Sequence, residues 1–96
     1  IKIICTVVKM TNVLSAYERF VARLNFLTET GNYAPSGHTA EDCQRHFESI
    51  LSYPDSTPPE DRLRMLEGVI EDEWKSRQDI TEHLGIYKGL CEKYRF

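Results

Sequence analysis

A chain of 96 residues with 41% hydrophobic and 28% charged side chains has the size of one domain and the balance of a globular one. That excludes two independent cores and a chain too polar to fold. The formal charge of −3 comes with no block of Lys or Arg able to track a phosphate backbone, which argues against nucleic acid as the main ligand.

Charge is unevenly placed. Residues 1–53 carry five basic and five acidic side chains, whereas 54–96 carry seven and ten, so the acidic excess lies in the second half around Glu71, Asp72 and Glu73. Cys5, Cys43 and Cys91 are an odd number with no C-x-x-C spacing, as expected of reduced, intracellular thiols. No apolar run reaches the ~20 residues a spanning helix needs. The chain opens on Ile1 rather than Met, as a fragment or processed product would. Six of residues 1–8 are β-branched, which favours a strand locally; the tail of a buried helix is the expectation preferred here.

From residue 14 the periodicity is helical. Leu14, Tyr17, Val21, Leu24 and Leu27, with Phe20 beside them, form one apolar stripe that ends near Thr30, before Gly31. Residues 31–37 are a loop by their turn residues. Thr39 is an N-cap for a second helix burying Ala40, Cys43, Phe47, Ile50 and Leu51, and Pro54 stops it by disfavouring helical geometry at Tyr53. A third helix is predicted with Thr57 as cap, Pro58 at its first position and Glu60 completing a capping box; Leu63, Leu66, Ile70 and Trp74 line it, with Val69 on its flank. Asp79 or Thr81 begins a fourth, with Ile80, Leu84, Tyr87, Cys91 and Tyr94 as its stripe. The fold expected is an all-α, four-helix domain over 1–96, in which 57–96 form a two-helix C-terminal part.

One segment resembles a known family. Gly37, Thr39, Cys43, His46 with Phe47, and Ile50 with Leu51 fall at the spacing of the third helix of Myb/SANT repeats. Phe20-Val21-Ala22 stands where that family has the aromatic and alanine core of its second helix, and residues 1–12 where its first helix ends. The resemblance implies a three-helix first half over 1–53. It departs from the family in a longer loop at 28–36 and in lacking the family's tryptophans, since Trp74 lies outside the matching region. Residues 12–21 also look like the opening of an HMG box, but such boxes are strongly basic and this chain is not.

Electrostatic sign separates the branches of the resemblance. A helix that reads the major groove presents Arg, Lys, Asn or Gln and is net positive. Here Glu41, Asp42, Gln44, Arg45 and Glu48 face outward, a net negative surface that repels phosphates. That is similar to the SANT branch, whose association with protein contacts implies an intracellular, nuclear setting and a basic partner.

Chemistry is sparse. His38, Cys43 and His46 have metal-ligand character but lack a fourth ligand, with His83 remote in sequence, so no metal or other cofactor is expected. Glu71, Asp72 and Glu73 point ~100° apart on a helix and do not converge on one acid–base site. A solvated acidic face, continued by Glu67 and Glu71, is expected instead. No phosphate-cradling loop, nucleophile elbow or H-E-x-x-H occurs. The reading is a non-catalytic module binding a basic or amphipathic protein segment through Glu41, Asp42, Arg45 and Glu48 and through Glu71, Asp72 and Glu73. The alternative is a small structural subunit of an assembly, homo-oligomeric or not, with residues 1–8 at its interface; a helix-turn-helix nucleic-acid binder ranks below both.

Overall fold

The computed structural model describes residues 15–31 and 37–95, and among them the protein is all-α, with four helices. They are α1 (Ala16–Glu29), α2 (Ala40–Leu51), α3 (Pro59–Lys75) and α4 (Thr81–Tyr94). Residues 1–8 and most of the predicted 31–37 loop lie outside the described residues, as does Leu14. No helix among the described residues is long and apolar enough to cross a membrane.

Helices α1 and α2 start where a side chain takes up a free amide. Ser15 caps α1 by accepting from the Glu18 amide at 3.1 Å, and Gly31, in the left-handed region at φ 66°, lets the chain leave after Thr30. Thr39 caps α2 as expected, and Asp42 completes the box by accepting from the Thr39 amide. The start of α3 differs from expectation: Pro58 is the cap residue, Pro59 the first helical one, and no side chain caps. The reason is steric. A residue preceding proline is pushed out of the α region, so Pro58 stays extended (ψ 133°) and the helix waits for Pro59. Thr57 is thereby left in a turn, its amide donating to the Pro54 carbonyl at 2.9 Å.

Helix α3 packs against all three others, and one apolar cluster draws on every helix. Ile50, Leu66, Ile70 and Tyr87 are fully buried at its centre, and Phe20 meets the Tyr87 ring edge-on at 5.1 Å between centroids. Some predicted stripe residues are less buried than expected. Ala40 and Leu51 of α2 face solvent, and Tyr17, Val21, Trp74, Leu84 and Tyr94 are half-buried. The α1 stripe is rotated onto Phe20, Leu24 and Leu27, the i, i+4, i+7 row.

A charged side chain holds the α2–α3 corner. Arg62, 6% exposed, donates from one guanidinium nitrogen to the carbonyls of Ile50 (2.7 Å) and Leu51 (3.1 Å). Its other terminal nitrogen donates to those of Tyr53 and Pro54, both at 2.9 Å. These are the carbonyls that the last turn of α2 and the exit to Pro54 leave without intrahelical partners, at the negative pole of the helix dipole. Arg62→Met should therefore lower stability by about 3 kcal/mol in urea unfolding, while Arg64→Met, on the exposed face, should change it by less than about 0.5 kcal/mol.

Candidate functional site

The three consecutive carboxylates of α3 do not form one acidic face; each turns to a different part of the bundle. Glu71 accepts from Arg23 of α1 at 3.1 and 3.3 Å and from Lys75 one turn on at 3.3 Å. Asp72 lies 3.9 Å from the His38 ring, on the side of α2. Glu73 is 3% exposed and directed at His83 of α4. The ~100° step between successive residues that kept them from converging on one site also sends them to three neighbours. The expected continuation through Glu67 is likewise used internally, since Glu67 accepts from the Tyr87 hydroxyl at 2.5 Å. Burial first, and then this carboxylate, push the Tyr87 hydroxyl far above the usual phenol range.

The expected contacts on α2 divide in the same way. Glu41 and Glu48 are exposed. Asp42 is committed to the helix start and to Arg45, which pairs with it one turn on. Glu48 accepts from Gln44 Nε2 at 2.6 Å. Glu73 is thus corrected from a surface contact to a buried one, and Glu71 and Asp42 from free carboxylates to paired ones. Of the expected contacts, Glu41 and Glu48 remain exposed and Asp72 half-exposed.

Between α2 and α3 these helices leave a cleft of about 170 Å³ lined by His38, Asp42, Cys43, His46, Val69 and Asp72. Two carboxylates, Asp42 and Asp72, and two imidazoles, His38 and His46, share its walls. The Cys43 thiol is held above its usual range by burial and then by the charges of Glu73, Asp72 and Asp42. Such a thiol stays protonated and is a poor nucleophile. Among the described residues no group of three or more His, Cys, Asp or Glu is arranged to hold a metal ion. A second, apolar groove of about 400 Å³ runs between α1 and α4, with Tyr17, Val21, Leu24, Trp74, Ile80 and Leu84 along it. The Trp74 indole N–H reaches back to the Leu24 carbonyl and the Thr28 hydroxyl, both at 3.2 Å.

Sequence reasoning missed a buried polar group that joins three helices. His83, 6% exposed, stacks on Phe47 at 3.9 Å and 9° between planes. Its Nδ1 lies 2.8 and 3.0 Å from the two Glu73 carboxylate oxygens, and its Nε2 2.7 Å from Gln44 Oε1. A signal for it existed. His83 is four residues before Tyr87, and Arg62 and Glu73 continue the Leu66–Val69 row by one step each way, so periodicity alone buries all three.

Compared with known proteins, the chain matches no family model, no curated protein and no solved structure.

Two measurements check this electrostatic description. The Asp42 carboxyl lies below its usual range because the Thr39 amide and hydroxyl and then Arg45 hydrogen-bond its ionised form. Thr39→Ala should raise it towards 3.8 by NMR titration and remove about 1 kcal/mol of stability. Burial pulls the Glu71 carboxyl upward, but the hydrogen bonds and charges of Arg23 and Lys75 outweigh it and leave it lowered. Its contribution is therefore in place above the ordinary value of 4.5 and lost as pH falls through the lowered one; Arg23→Ala should shift that acid loss to higher pH.

Proposed function

We propose that the chain is a non-catalytic protein–protein interaction module that takes a basic polypeptide segment across the α2–α3 cleft. The observation that carries this reading is the pair of carboxylates, Asp42 and Asp72, lining the cleft, with Glu41 and Glu48 exposed elsewhere on α2. A cleft of that size takes the end of one long side chain, and its carboxylates select a cation. The same carboxylates disfavour DNA or RNA on this face. The Myb/SANT resemblance over 37–51 fits this reading and would set the module among chromatin- or transcription-associated proteins of the nucleus. The protonated Cys43 and the paired Glu71 and Glu73 need no catalytic role here, and the reading calls for no cofactor.

The apolar groove between α1 and α4, with Phe26 61% exposed on the same helix as Tyr17 and Val21, favours a second reading. In it the chain is a structural subunit, homo-oligomeric or not, that uses residues 1–8 and this groove in an assembly.

Fluorescence titration with a Lys/Arg-rich peptide tests the first reading. Affinity should fall with added salt and drop roughly two- to fivefold for each of Glu41→Gln, Glu48→Gln and Asp72→Asn. Asp42 is unsuitable for this test, because neutralising it also uncaps α2. Affinity indifferent to all three substitutions, or a low-salt gel shift of duplex DNA at micromolar protein, would overturn the assignment. A solution mass above that of the monomer, lost when residues 1–8 are removed, would favour the subunit reading.

A further inference from the structure

We propose that residues 3–10 fold back as a further helix into the apolar groove between α1 and α4 of their own chain, which makes the groove an internal seam and not a free surface. Helix α1 carries two apolar rows. Phe20, Leu24 and Leu27 form the row that is buried in the core. Tyr17, Val21 and Leu24 form a second, which lines the groove of about 400 Å³, and there Tyr17 and Val21 stay half-buried along with Trp74 and Leu84. A helix with apolar rows on two sides calls for neighbours on two sides, and among the described residues the second row is left open. Gly85, in the wall of the groove, has no side chain, and a Cβ built there would meet nothing within 4 Å, so another helix can come close.

The residues just upstream of α1 match the groove in pattern, reach and charge. Taken at helical period, Lys2, Cys5 and Lys9 fall on one side and Ile3, Ile4, Val7 and Met10 on the other. At strand period the two lysines fall on opposite faces, and the described residues offer no sheet edge for a strand to join. Ser15, which caps α1, is extended (ψ 165°), so an upstream helix cannot run on collinearly and the chain must turn. The start of α1 lies beside the later part of α4, where Tyr17 meets Tyr87 and Lys88, while Leu24 shares the groove with Ile80. The groove thus opens two residues after Ser15 and follows α1 from Tyr17 to Leu24, about 11 Å along its axis. Residues 3–10 as a helix cover about 12 Å. Residues 11–14 span up to ~13 Å, enough for the ~8–10 Å between packed helix axes. A cavity of ~150 Å³ holds one benzene, so about 400 Å³ takes two or three aliphatic side chains. Residues 1–14 also bring two lysines and no carboxylate to a chain whose net charge is −3, so the lysine side meets an acidic body. The α2–α3 cleft is not involved, whereas use of the groove by another chain is excluded while the segment fills it.

Cys5 supplies a probe in the full chain, because Cys43 and Cys91 are buried and Cys5 falls on the lysine side of the segment. A nitroxide on Cys5 should broaden the amide signals of Asn25 and Gly85, at the end of the groove remote from Ser15, and leave those of Tyr53 and Asp61, at the opposite end of α3, sharp. Nitroxide-bearing chains without ¹⁵N, mixed with ¹⁵N chains without nitroxide, should broaden nothing, since the contact lies within one molecule. Gly85→Leu adds a side chain where only the segment can meet it and should lower Tm by roughly 4–8 °C. Gly68→Leu, equally open and exposed on α3, should instead raise Tm by a few degrees through helix propensity. Broadening carried between molecules would give the groove to a second copy, and sharp Asn25 and Gly85 signals would put the segment elsewhere. An equal rise in Tm at both glycines would mean open space above Gly85. Any of the three overturns the proposal.

Discussion

Helix α3 takes one charge out of water near each of its ends, and the other helices are arranged around those two groups. Near its start, Arg62 gathers the carbonyls at the end of α2 and in the exit to Pro54. Near its finish, Glu73 holds the His83 ring of α4. A buried charge without partners is costly, so each position admits only an arrangement of its neighbours that supplies partners. The apolar residues between them, Leu63, Leu66, Val69 and Ile70, supply burial with no directional demand of their own. Packing provides the general driving force, and the two charges specify which surfaces meet.

The charge at the finish has a further consequence because it is shared across elements. Glu73, His83 and Gln44 belong to α3, α4 and α2, and Phe47 of α2 lies flat against the ring. Glu48, at the solvent end of the line, accepts from Gln44 Nε2. An exposed residue of α2 is in this way continuous with a buried imidazole and carboxylate. The same helix α2 has its start fixed independently by Thr39 and Asp42 and its end by Arg62, so both termini are secured while its middle depends on the ring.

The surface is less acidic in effect than its composition. Of the seven side chains singled out as partner contacts, Glu73 is buried, Glu71 is tied to Arg23 and Lys75, and Asp42 and Arg45 neutralise one another. What remains outward is a smaller set: Asp72, which lines the α2–α3 cleft, and Glu41 and Glu48, exposed on α2 outside the cleft lining. Carboxylates in a small bundle are drawn first to the cations and donors that folding brings near, and only the remainder is available to a partner.

Local chemistry was enough to place the elements. The Thr39 cap, the Pro54 stop, the Gly31 exit and the recurrence of apolar residues at three and four positions each depend on a few neighbouring residues, so they survive whatever the rest of the chain does. The α3 start shows the limit even locally, because Thr57-Pro58-Pro59 offers two prolines and only the geometry of the pre-proline residue decides between them. Where the charges of α3 point was not legible in the chain alone. Periodicity sets Glu73 apart from Glu71 and Asp72 as an inward position, but the partners of all three, Arg23, His38 and His83, lie 48, 34 and 10 residues away along the chain. Periodicity states that a position is inward; only the assembled bundle states which donor or acceptor waits there, because hydrogen bonds are directional and hydrophobic burial is not.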